Sequence, residues 1–193
     1  MARTKSFDET EALERAMDLF WLKGYHGTSM QDLVDAMGIS RSSMYDTFGD
    51  KHAIFLMAFQ HYKRSQKENF GFISEDSEIT SILASFFNTL LRDIVKDQEK
   101  KGCFIVNSST EMGWQDDAVR AIIQENYEDF EAHFLPVFKR AILYEELSED
   151  KDPEALTRFL YVNMVGLRAV SRVTDNINFL RDAAKVALKA LLD

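Results

Sequence analysis

Apolar residues recur at helical period along most of this chain. Leu13, Ala16, Met17 and Phe20 form a first stripe, which Gly24 stops. Ser6 and Glu9 stand at capping-box spacing and predict a helix start near Ser6. In the block from Thr28 to Ser40, either Thr28 with Gln31 or Ser29 with Asp32 caps a short helix. Its inward positions are Met30, Leu33, Val34 and Met37. Gly38 suits the left-handed residue that ends such a helix, and Ile39 can plug the turn into the core. Ser40 then caps a second short helix, Arg41 to about Thr47, with Met44 and Phe48 inward. Asp50 opens a longer one through Ile54, Phe55, Ala58, Phe59 and Tyr62.

The pattern continues to the end of the chain. Residues 77–97 carry Ile79, Ile82, Leu83, Phe86, Phe87, Leu90, Leu91 and Ile94, a broad apolar face suited to a central helix. Gly102 precedes a helix from Cys103 to about Met112. Residues 116–146 form a long helical stretch in which Pro136, lacking a backbone donor, predicts a kink between Phe134 and Phe138. Asp152-Pro153-Glu154 is a strong helix start, a cap with proline at the first helical position. The helix that follows runs to Val173, is apolar around most of its circumference and carries Gly166. A last stripe joins Ile177, Leu180, Ala184, Ala187, Leu188 and Leu191. The expected fold class is all-α, without internal repeat or long linker.

Composition narrows the function. Two prolines and eight glycines are too few for the turns of an all-β fold of 193 residues. A single cysteine excludes an internal disulfide, and no Cys/His cluster offers a zinc site. The four histidines, His26, His52, His61 and His133, lack metal-ligand spacing to carboxylates. No nucleophile elbow, P-loop or dinucleotide fingerprint is present. The chain therefore reads as a non-enzyme without metal or cofactor. No apolar run reaches membrane-spanning length and the N-terminal stretch lacks a signal-peptide core, so a cytoplasmic protein with no membrane partner is expected. The net charge of −9 is uneven. Residues 1–70 hold 9 Lys/Arg against 10 Asp/Glu, whereas residues 71–193 hold 14 against 22. An acidic second part leaves room for a nucleic-acid-binding first part.

Two short helices joined by a glycine-containing turn and preceded by a packing helix form a helix-turn-helix unit. The second of them exposes Arg41, Ser42, Ser43, Tyr45, Asp46 and Thr47. Such a face gives up helix propensity, which suits close approach to phosphates and base edges. Residues Gly27 to Lys51, above all the Tyr45-x-x-Phe48-x-x-Lys51 tail, resemble the N-terminal signature of the TetR family of transcriptional regulators. Thr47 stands where the family usually has an aromatic or histidine, and Asp46 sets an acid near the DNA. The segment Gly102-Cys103-x-x-x-Asn107 resembles a pattern of one TetR subgroup.

The resemblance implies an N-terminal three-helix helix-turn-helix domain, residues 1–52, followed by a larger helical effector-binding and dimerisation domain, residues 53–193. It implies a homodimeric, ligand-responsive repressor of a palindromic double-stranded DNA operator. Expected DNA contacts are Thr28, Ser29, Ser40, Arg41, Ser42, Ser43, Tyr45, Asp46, Thr47 and Lys51. Among them Arg41 is the main base or phosphate donor, and Thr28 and Ser29 offer a helix N-terminus to a phosphate. His26 and His52 are expected at the surface or beside phosphates. Candidate lining for a small-molecule effector pocket is Phe59, Phe86, Phe87, Cys103, Asn107, Glu111, Phe134, Phe138 and Met164; Asn107 and Glu111 can equally satisfy backbone or neighbouring helices. Gly166, Leu180, Ala184, Leu188 and Leu191 are the expected dimer seam. Two alternatives remain: a helical carrier of apolar small molecules, and a regulator switched by oxidation or alkylation of Cys103.

Overall fold

Asp8, not Ser6, starts the first helix in the computed structural model, which describes residues 7–66, 71, 73 and 77–193; Ser6 lies outside them. The Asp8 carboxylate accepts from the Thr10 and Glu11 amides at 2.8 and 3.1 Å, meeting two of the donors a helix start leaves open. Nine helices follow in order among the described residues, with no strand: α1 (Glu9–Lys23), α2 (Met30–Met37), α3 (Arg41–Phe48), α4 (Lys51–Gln66), α5 (Ile79–Lys96), α6 (Phe104–Glu111), α7 (Asp117–Leu143), α8 (Pro153–Ser171) and α9 (Ile177–Leu192). The all-α expectation holds, and most helix bounds fall within a few residues of the stripes. Asp152 caps α8 through the Ala155 amide at 3.0 Å, with Pro153 at its first turn. The long helix α7 continues through Pro136, with Phe134 and Phe138 both buried.

The chain divides into two units. The first joins Met1–Gln66 to Asn107–Ile123, and the second joins Lys67–Val106 to Gln124–Asp193. In the first unit α1 packs on α2 and α4. Its centre is aromatic: Phe20 meets Phe55 edge-on at 5.2 Å, and Tyr25 meets Phe55 at 5.0 Å. Phe59, expected in the effector pocket, is buried here, stacked on Phe55 at 5.7 Å. The returning segment adds Met112, Val119 and Ile122 as buried residues.

In the second unit α5, α8 and α9 pack together. One core gathers Phe86 and Phe87 of α5, Phe130, Phe134 and Phe138 of α7, Leu160 and Leu167 of α8, and the inner face of α9. Phe86 meets Phe134 edge-on at 5.2 Å, and Phe130 stacks on Phe134 at 4.6 Å. Met164 packs half-buried against this core.

This core corrects the expected seam. Leu180, Ala184 and Leu191 are only 2, 3 and 0% exposed within their own chain, which leaves them no surface for a second one. Leu188 is half-buried against the same core. The most apolar stripe of α9 is the one its own protomer covers. An adjoining side of α9 stays open, with Phe179 56% and Val186 70% exposed, and Ala183 and Ala190 exposed between and beyond them. On α8, Phe159 and Val162 are exposed, and a Cβ added at Gly166 would meet nothing within 4 Å.

Truncating a fully buried core leucine removes its transfer free energy and leaves a cavity. Leu191→Ala is expected to lower unfolding free energy by about 2–5 kcal/mol. Chemical denaturation of the two purified proteins reads this. Equal stability would contradict placement of Leu191 in the protomer core.

Candidate nucleic-acid interface

Side-chain caps and one left-handed residue set the geometry from α2 to α3. Ser29 accepts from the Asp32 amide at 3.0 Å, and Asp32 accepts from the Ser29 amide at 2.8 Å, a complete capping box. The choice between the two possible caps falls on Ser29. The Lys23 ammonium, 2.8 Å from Asp32, together with the Ser29 hydroxyl and amide, holds the Asp32 carboxyl well below the usual carboxylate range. Gly38 ends α2 at φ 67°, ψ 28°, a region that costs a side chain with Cβ strain. Ile39 is buried, and Ser40 caps α3 by accepting from the Ser43 amide at 3.1 Å. Asp50 opens α4 by accepting from the Ala53 amide at 2.9 Å.

Helix α3 has one buried side, Met44 and Phe48, and one open side, Arg41, Ser42, Tyr45 and Asp46. Ser40 is exposed, and its hydroxyl lies 2.8 Å from that of Ser43. Ser43 and Thr47 are half-buried. No ion pair among the described residues holds Arg41. Lys51 is half-buried, its ammonium 4.4 Å from the centre of the Tyr25 ring.

Thr28 departs from the expected phosphate contact. It is 1% exposed, its hydroxyl donates to the Gly24 carbonyl at 2.7 Å and its amide to the Tyr25 carbonyl at 3.3 Å. Both of its donors are therefore engaged in the turn before α2. Ser29, next to it, is exposed.

Three polar residues beside the α6–α7 turn brace this unit; of them sequence reading singled out Glu111, as a residue that either edges a pocket or satisfies backbone groups, and missed Gln115 and Asp116. The Glu111 carboxylate accepts from the Tyr25 and His26 amides at 3.0 and 2.8 Å. It fills the space beside Gly24, where an added Cβ would lie 2.6 Å from its Oε2. The Gln115 amide lies 3.2 Å from the His26 ring. His52 Nε2 lies 2.6 Å from Asp116 Oδ2. Burial pushes the Asp116 carboxyl up, but the Val119 amide and the His52 ring outweigh it and hold the carboxyl below its ordinary value. Burial, with Asp50 and Asp116 nearby, pushes the Tyr25 phenol up. His26 is exposed, as expected of a surface residue, and His52 half-buried, and both rings also meet residues 115 and 116.

Glu111 consequently leaves the expected effector pocket, because its carboxylate serves the α1–α2 turn. Asn107 is half-buried in the first unit, whereas Cys103, half-buried just before α6, belongs to the second. Phe86, Phe87, Phe134 and Phe138 come together in the core of the second unit. Among the described residues no group of three His, Cys, Asp or Glu side chains could hold a metal ion, and no helix is long and apolar enough to cross a membrane.

Comparison with known proteins agrees with this geometry. Residues 12–58 match the model of bacterial regulatory proteins of the tetR family, and residues 81–187 match that of a tetracyclin repressor-like C-terminal domain. The chain is 31% identical to the uncharacterized HTH-type transcriptional regulator YezE of Bacillus subtilis (strain 168), over 99% of this chain and 100% of that protein. It is 33% identical to the HTH-type transcriptional repressor ComR of Escherichia coli (strain K12), over 56% of this chain and 52% of that one. Among solved structures, a cysteine mutant of the TetR family regulator CifR complexed with 26-base-pair operator DNA superposes with a TM-score of 0.82. It is 27% identical, covering 97% of this chain and 99% of that one.

The brace predicts a stability effect at a residue far in sequence from the turn it holds. Glu111→Gln replaces one of two accepting oxygens with an amide that meets a backbone donor. Hydrogen bonds to a charged group contribute about 1.5–3 kcal/mol each, so a loss of about that size is expected. Thermal melts of both full-length proteins measure it, and an unchanged midpoint would remove the brace.

Proposed function

The chain belongs to the tetR family of bacterial regulatory proteins, and we propose that it is a homodimeric transcriptional repressor. In this reading α3 enters the major groove of a palindromic operator. A small molecule taken up by the second unit releases the repressor from that operator. The observation that carries the DNA reading is the two-sidedness of α3. Its inward residues Met44 and Phe48 are buried, while its open side offers Arg41, Ser42, Tyr45 and Asp46, side chains matched to phosphates and base edges. Ser29 and Ser40 present helix starts to phosphates, and Lys51 adds a charge at the start of α4. Ser43 and Thr47 flank the contact. Residues 1–52 carry these groups, and effector and dimer functions are assigned to the part of residues 53–193 that forms the second unit.

A second copy of the chain is the partner proposed for the open side of α8 and α9. Phe159, Val162, Phe179 and Val186 are large apolar side chains left exposed there, the kind of surface that association covers. A groove of about 230 Å³ between the two helices, lined by Val162, Gly166, Phe179 and Ala183, gives it relief. Gly166 stays in the proposed seam, joined by the outward residues of α9 in place of Leu180, Ala184 and Leu191. A two-fold dimer must set its recognition helices about 34–36 Å apart, one groove repeat, to bind two half-sites. An effector shifts that arrangement only by its differential affinity for the bound and released spacings.

Phe86, Phe87, Phe134, Phe138 and Met164 remain the residues proposed to shape the effector site, and Gly102, Cys103 and Asn107 support a proposed assignment to the Gly-Cys-x-x-x-Asn subgroup. Cys103 is assigned a packing role. It is half-buried, and Phe104, Ile105 and Val106 immediately after it are buried.

Arg41→Ala is expected to weaken operator binding by about 1–3 kcal/mol and to relax selectivity at one position. Lys51→Ala should weaken all sequences alike and lower the salt slope by about one. Titrations of labelled operator at several salt concentrations separate the two, and wild-type behaviour of both variants would overturn the assignment of α3. For the seam, Val186→Glu should yield a folded monomer in light scattering that no longer binds a palindrome. A stable Val186→Glu dimer would contradict the proposed surface.

A further inference from the structure

Asp46 stands at the centre of the open side of α3. Successive residues of a helix turn by about 100°, so Asp46, two positions from both Met44 and Phe48, points about 160° away from each. Those two residues are the buried anchors of the helix. Ser42, one turn earlier, shares the outward ridge, its hydroxyl 3.4 Å from Asp46 Oδ2. Arg41 and Tyr45 form the neighbouring ridge, about 100° round the axis. No ion pair among the described residues neutralises Asp46.

The position of this charge restricts what it can face. A helix lying in the major groove turns the side opposite its own core toward base edges and its flanks toward the phosphate walls. On a flank a carboxylate would meet phosphates and be repelled, whereas at the centre it meets the groove floor. There guanine presents N7 and O6, and thymine presents O4, all acceptors that repel an acceptor-only group. Cytosine presents its N4 amino group alone. Adenine presents an N6 donor beside the N7 acceptor, a poorer match for a group with two accepting oxygens.

We propose that Asp46 is a specificity-determining residue that selects a cytosine in each operator half-site and rejects guanine and thymine at that position. The inference rests on the reading of α3 as the recognition helix and adds to it the base class read at its centre. Selectivity of this kind arises as much from repulsion of the wrong base as from attraction to the right one. The same carboxylate opposes binding to DNA of any sequence, so its removal should raise non-specific affinity.

The test is selection from a random double-stranded library by the full-length wild type, Asp46→Asn and Asp46→Ala at one salt concentration, followed by sequencing. Asp46 is exposed, and circular dichroism melts confirm that the variants fold. Wild type is expected to enrich two half-sites with a cytosine at one corresponding position. Asp46→Ala should accept all four bases there, and Asp46→Asn should move toward adenine, whose N6 and N7 match a carboxamide. The change in base discrimination should be about tenfold or more, with the other positions kept. Variants that return the wild-type motif base for base would overturn the role of Asp46 while leaving the recognition helix intact. A wild type that enriches no motif would remove the DNA-binding reading and this inference with it.

Discussion

Burial of Met44 and Phe48 sets the rotation of α3, and the rest of the interface follows from that rotation. An eight-residue helix has little stability of its own, because nucleation is costly and few internal hydrogen bonds repay it. Its persistence depends on these two anchors and on the Ser40 cap. Once they are in place, Ser42 and Asp46 must face out and Arg41 and Tyr45 must stand beside them. The turn from α2 is equally constrained, since Gly38 takes the left-handed conformation and Ile39 is buried behind it. Pose and chemistry of the open side of α3 are therefore decided by its buried apolar side.

The unit that holds α3 is discontinuous in the chain. Residues 107–123 return to the first unit, and they do so with polar groups as well as apolar ones. Glu111 captures two backbone amides of the α1–α2 turn, Gln115 lies against the ring of His26, and Asp116 pairs with His52 at the start of α4. Directional bonds of this kind specify a geometry more sharply than burial does, and each contributes only modestly. The helix-turn-helix is thus complete only with a segment that lies more than forty residues beyond the end of α4.

Much of the first unit was legible in sequence because its signals are local. Ser29 with Asp32, Gly38, Ser40 and Asp50 act within three or four residues of themselves, and a stripe of Met44 and Phe48 needs no distant partner to be recognised. For Glu111 sequence left a pocket role and a backbone-satisfying role open, and it could not choose because the amides that it meets lie 85 and 86 residues away. Thr28 could have capped a helix as well as Ser29, and the nearby Gly24 carbonyl decided the matter. On α9, periodicity identified the apolar stripe but not what covers it. A core stripe and a seam stripe have the same spacing, so Leu180, Ala184 and Leu191 were placed at the seam although their own chain buries them.

The central claim is that α3 reads the major groove of a two-fold site. Dimethyl sulfate footprinting of a selected operator probes that groove directly, because the reagent methylates guanine N7 there. The account predicts two protected patches, related by symmetry, with centres about 10–10.5 base pairs apart or a multiple of that. Uniform reactivity along the bound fragment, or protection confined to minor-groove adenines, would contradict it.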